Sequence, residues 1–147
     1  MATKEKPGFS ADERAAMKEY AAELQAEKRR KGSADKAALD RQDLLDKIAA
    51  LPDDDRVVAE RVHAIVTEAA PELLPKTWYG MPAYYRDGRA VVFFQPAAKF
   101  KARYSTLGFN DGAALDDGAM WPTSYALTTI GPVEEKRIAE LVRRAAG

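Results

Sequence analysis

The chain has 147 residues, 23 Lys plus Arg against 23 Asp plus Glu, one His and no Cys. That length suits one domain, which buries roughly 70% of its unfolded surface without help from disulfides or metal. The balanced charge argues against a protein built to coat nucleic acid or an anionic membrane. The missing Cys excludes disulfides, thiolate zinc sites, Cys-ligated iron–sulfur clusters and a Cys nucleophile. With His63 alone, no site needing two imidazoles forms within one chain.

No apolar run approaches the roughly 18 residues that span a bilayer. Met1 to Ser10 is charged and polar, without the apolar stretch of a secretory signal. The expectation is a soluble cytoplasmic protein.

Ser10-Ala11-Asp12-Glu13 reads as a capping box opening a helix that runs to about Lys31 and stops at Gly32-Ser33. Its apolar stripe is thin (Met17, Tyr20, Leu24, then alanines), which makes it an appendage docked on the domain. Lys28-Arg29-Arg30-Lys31 suits the negative end of the helix dipole, and an anion or nucleic-acid site is the sharper reading of the same run. A second helix covers about Lys36 to Leu51, with Leu44, Leu45, Ile48 and Leu51 on one face, until Pro52 breaks it. A third starts at Asp53–Asp55 and carries Val58, Val62, Ile65, Val66 and Ala69 inward, ending before Pro71. The two form a hairpin that covers a sheet.

Eleven of the 13 aromatics lie between Trp78 and Tyr125, where Val, Thr and Gly are also frequent, so the sheet follows the helices. Asp87-Gly88 joins Ala83–Arg86 to Arg89–Phe94 as a two-residue hairpin turn, and Val91–Phe94, apolar on both faces, is placed centrally. Phe100 to Thr106 alternates as a strand, and Tyr125–Ile130 is the last one. Asn110-Asp111-Gly112 and Asp116-Asp117-Gly118 are turns. Gly131-Pro132 opens a final helix, acidic at its start and basic at its end. Helices, then sheet, then helix is an α+β order. The organisation is an N-terminal helical extension over 1–34 and an α+β domain over 35–147.

Trp78-Tyr79-Gly80-Met81-Pro82-Ala83-Tyr84 sets large aromatics about a Gly and a Pro, a bend that walls a pocket for a flat ligand or packs as a sheet corner. Lys99, Lys101 and Arg103 stand at period two, the pattern of an anion site and equally of a solvated strand face. Asp53, Asp54 and Asp55 are a hard-oxygen set for iron, magnesium or calcium, and are also what a helix start favours. His63 lies at the edge of the third helix's apolar face, about 60° round from Val66. Ser105, Thr106 and Ser124 lie in no nucleophile elbow, and no catalytic constellation stands out.

Lys76–Tyr84 (Lys-Thr-Trp-Tyr-Gly-Met-Pro-Ala-Tyr), Phe93-Phe94, Leu107-Gly108-Phe109 and Leu115–Pro122 together resemble the YdhG-like family. This bacterial group includes a frataxin-like iron chaperone. The resemblance covers roughly 44–146, and the first helix lies outside it. It implies helices packed on a curved antiparallel sheet of about four to six strands. For function it implies delivery of iron to iron–sulfur or haem assembly, for which Asp53, Asp54, Asp55 and Glu60 are the acidic patch. Two other expectations stand beside this non-enzymatic iron carrier. One is a small-ligand module in which Trp78, Tyr79, Met81, Tyr84 and Trp121 wall a pocket and Lys99 or Arg103 anchors an acidic group. The other is a protein-interaction domain that docks through its N-terminal helix.

Overall fold

The computed structural model describes residues 8–147, so most of the Met1–Ser10 segment lies outside the described residues. Among the described residues four helices, α1 (Ala11–Arg30), α2 (Lys36–Ala49), α3 (Asp53–Ala69) and α4 (Pro132–Ala146), accompany five strands. The strands are β1 (Leu74–Trp78), β2 (Met81–Arg86), β3 (Arg89–Gln95), β4 (Ser105–Phe109) and β5 (Ser124–Leu127). They form one antiparallel sheet in the order β1-β2-β3-β4-β5. The protein is α+β, a curved open sheet packed by helices, with the additional N-terminal helix in place.

The local chemistry explains each boundary. Ser10 Oγ accepts from the Glu13 N–H, and the Glu13 carboxylate accepts from the Ser10 N–H, so α1 starts with both orphan amides satisfied. Asp87 (φ 52°) and Gly88 (φ 77°) are both left-handed, as a type I′ hairpin turn requires. The Trp78–Tyr84 bend is a second turn of this kind, with Tyr79 (φ 52°) and Gly80 (φ 75°) joining β1 to β2. Strand β1, Leu-Pro-Lys-Thr-Trp, has no place in the sequence reading because its Pro and Lys mask the strand pattern.

The alternating segment from Phe100 to Thr106 is not a strand until Ser105. After Pro96 the chain makes a single 3₁₀ turn (Ala97–Phe100) and passes through Lys101 at φ 53°. Ser105 Oγ accepts from the Ala97 N–H and Asp55 from the Ala98 N–H, so two side chains tie down the start of this turn. The expected period-two row of Lys99, Lys101 and Arg103 therefore does not exist. The last strand is also shorter than expected, ending at Leu127.

One face of the sheet carries the core: Tyr84, Val92, Phe94, Leu107, Phe109 and Leu127 meet Leu44 and Ile48 of α2, the apolar stripe of α3, and Ile138 and Val142 of α4. Arg86 clamps the end of α4 by donating to the Ala146 carbonyl, and to that of Gly112 at 2.9 Å. The other face carries Lys76, Trp78, Ala83 and Phe93, placed by register. Phe93 lies over Gly108 on the neighbouring strand, where a Cβ would strike its ring. Gly108→Ala is accordingly expected to cost about 1–3 kcal/mol by displacing that ring, read from urea unfolding.

Candidate functional site

The second face of the sheet holds a groove of about 610 Å³ between α1 and the strands. Trp78, Tyr85 and Lys76 form its floor, Tyr20 and Leu24 its α1 wall, and Arg89 lines it from the start of β3. Alternation puts Lys76 and Trp78 of β1 on one face, and the pairing Leu74↔Tyr85 brings Tyr85 onto the same face from β2. Trp78 is half-buried. Its ring meets Tyr79 edge-on and leans on Phe93, both at 5.1 Å between centroids. Lys76 Nζ sits 5.1 Å from the Tyr85 ring centroid and bonds Glu27 at 2.6 Å. The Tyr85 hydroxyl donates to the Thr77 carbonyl at 3.0 Å, and burial, with the nearby acidic groups, pushes its pKa far above the ordinary tyrosine value.

The expected aromatic cluster divides between this groove and the interior. Trp78 lines the groove. Tyr79 sits in the β1–β2 turn with its ring stacked on Tyr20 at 4.2 Å. Met81 shares the face of Trp78 but is 5% exposed and offers no wall. Tyr84 is on the core face, 0% exposed, with its hydroxyl 2.9 Å from His63 Nδ1. Trp121 packs half-buried against the main core. The reason is the strand period: from Met81 on, alternate residues face opposite sides of the sheet, so one pocket cannot take them all.

The expected cationic anchors are elsewhere. Lys99 bonds Glu19 at 3.1 Å, and Arg103 is exposed with its guanidinium over the Tyr104 ring. The cations of the groove are Lys36, Lys76 and Arg89, none of them among the sequence candidates; its lining also holds five carboxylates, of which Glu27 and Asp40 pair with Lys36 and Lys76. Lys76 stands two residues before Trp78, and that spacing, read as a strand, is the signal that would have found it.

His63 is half-buried; burial, together with the charge of Arg41, holds its imidazole pKa below the ordinary value. Tyr84, sealed in the core, has its pKa raised by the same desolvation. The pair makes a polar contact at the edge of the core, the Tyr84 ring sealed and the His63 ring partly exposed. Among the described residues no buried side-chain polar atom lacks a partner.

The carboxylates at the start of α3 diverge. Asp53 and Glu60 both bond Arg56, at 3.1 and 3.2 Å, and Asp54 is exposed. Asp55 turns inward, 8% exposed, and accepts from the Ala98 N–H at 3.0 Å. Among the described residues no three His, Asp or Glu side chains are placed to hold a metal ion together. Asp55→Ala, which strands a backbone donor, is expected to cost about 1–3 kcal/mol. Asp54→Ala is expected to stay within about 0.5 kcal/mol, both by urea unfolding.

Among the described residues no helix is long and apolar enough to cross a membrane. Comparison with protein-family models, curated proteins and solved structures finds no match to this chain.

Proposed function

We propose that the chain is a cytoplasmic small-ligand binding module of YdhG-like type whose site is the groove between α1 and the open face of the sheet. The observation that carries this reading is the placing of Trp78 and Tyr85 on the floor of a 610 Å³ groove with Lys76 beside them and Arg89 in its lining. Aromatic faces take a planar ligand, and Arg89, which makes no ion pair among the described residues while Glu27 holds Lys36 and Lys76, anchors an acidic group on it. The ligand class is therefore a small planar molecule bearing a carboxylate or phosphate.

Iron carriage, implied by the resemblance, is the second reading. It rests on Asp53, Asp54 and Glu60, which are exposed and hold no more than a shared arginine. Exposed oxygen donors of this kind bind iron weakly and release it readily, as a carrier must.

Anaerobic thermal unfolding with ferrous iron, ferric citrate, magnesium and a panel of planar carboxylates and phosphates separates the two. A ligand present at 100 times its dissociation constant adds about 2.7 kcal/mol, roughly a 5–10 °C rise for a domain of this size. The groove reading expects a rise with a planar anion that Trp78→Ala abolishes in a folded chain. A rise with iron alone, lost on replacing Asp53, Asp54 and Glu60 with Asn or Gln, overturns it in favour of carriage.

A further inference from the structure

Glu19, Glu23 and Glu27 recur every four residues, on one face of α1 and about 6 Å apart along its axis. On an isolated helix such like charges repel one another. Here each is placed on a pair of donors from the rest of the chain. Glu19 meets Lys47 at 2.8 Å and Lys99 at 3.1 Å. Glu23 accepts from the backbone N–H groups of Tyr79 and Gly80, both at 2.8 Å, and so occupies the left-handed β1–β2 turn. Glu27 meets Lys76 at 2.6 Å and Lys36 at 2.9 Å. Gly80 leaves room for this approach, since a Cβ there would strike the Glu19 carboxylate.

Tyr20, one residue beyond the first glutamate, stacks on Tyr79 with the planes 7° apart. Apolar burial adds little: Ala16 is the one buried residue of α1, while Met17 and Leu24 are exposed. The helix is held by polar recognition, and the short link through Gly32 (φ 79°) is its covalent tether. Without α1, the face beneath it presents four lysines and two backbone donors in three successive stations.

We propose that this face is a docking surface for an acidic helix of a partner protein, and that α1 occupies it in cis as a competitor. The partner segment carries Glu at positions i, i+4 and i+8 with an aromatic at i+1. Charge complementarity selects it: the four lysines attract a helix carrying a stripe of carboxylates, and Asp40 and Asp43, which Arg30 of α1 meets at 3.0 and 2.7 Å, favour a basic residue one turn beyond that stripe.

The probe is a labelled synthetic peptide of residues 8–31, titrated into the full chain and into the full chain carrying Glu19→Gln, Glu23→Gln and Glu27→Gln. With its own helix weakened, the triple variant is expected to bind the peptide at least about tenfold more tightly than the unaltered chain. That affinity is expected to fall as salt rises from about 0.05 to about 0.5 M. A peptide with the same three Gln is expected not to bind. Equal affinity for the two chains, or binding by the Gln peptide, overturns the proposal. So does a concentration-dependent dimer of the unaltered chain that the peptide dissociates, which puts a second copy's α1 on the face. Should the triple variant fail to fold, the chain carrying Glu23→Gln alone is expected to show a smaller gain of the same sign.

Discussion

Tyr84→Ala is expected to destabilise the domain by about 3–5 kcal/mol, a large share of the roughly 5–15 kcal/mol that a domain has. The ring is fully buried among Val66, Val92, Phe94 and their neighbours, so its removal leaves a cavity that a close-packed sheet and three helices do not refill. Its hydroxyl bonds His63, and Tyr84→Phe, which removes that contact alone, is expected to cost about 0.5–1.5 kcal/mol. Trp78→Ala, on the other face and half-buried, is expected to leave a folded chain with a smaller loss. Urea unfolding of the three variants is the check. A loss at Trp78 equal to that at Tyr84 would make Trp78 a core residue and remove the floor of the groove.

The second large effect is the release of α1 by acid. Burial raises the pKa of Glu19, but the hydrogen bonds from Lys47 and Lys99 outweigh it and hold the carboxyl below its ordinary 4.5. Lys76 and Lys36 do the same for Glu27. A carboxyl whose folded value is depressed contributes its full stability above pH 4.5 and loses it as the pH falls through the lowered value. The Tyr79 and Gly80 amides donate to Glu23, a side chain of α1, so their hydrogen exchange reports the docking directly. Their protection factors are expected to fall at least about tenfold between about pH 6 and pH 3, while the amides of β3 stay protected. Raised salt at neutral pH is expected to act in the same direction. Loss of protection at Tyr79 and β3 together would mean that α1 and the sheet open as one unit.

How far the fold was legible follows from where local chemistry decides. The capping box at Ser10, the Asp87-Gly88 turn and the Gly131-Pro132 helix start are local signals, and each stands where the sequence places it. Strand β1 is short, holds a Pro and takes its identity from pairing with β2, so no local pattern marks it. The segment from Phe100 to Thr106 fails in the opposite way. Its alternation is accidental: the Ala97 and Ala98 N–H groups donate to Ser105, inside the segment, and to Asp55, distant in sequence, and so fix a 3₁₀ turn at its start.

The site was legible in part for the same reason. Trp78 stands out as an aromatic beside a Gly, but which of its neighbours share its face depends on a register that the sequence does not display. Lys76 shares the face of Trp78 by alternation along β1, a strand with no local mark, and Arg89 joins them only through the pairing of strands. The glutamates of α1 show their spacing in the sequence, whereas their donors come from α2, β1, the β1–β2 turn and the 3₁₀ turn.

The groove as ligand site is tested most directly by fluorescence of the chain carrying Trp121→Phe, in which Trp78 is the sole tryptophan. Titrated with the planar anion that raises the unfolding midpoint, this chain is predicted to show a saturable change in Trp78 emission at the same half-saturating concentration. A raised midpoint with unchanged Trp78 emission would place the ligand elsewhere and contradict the account.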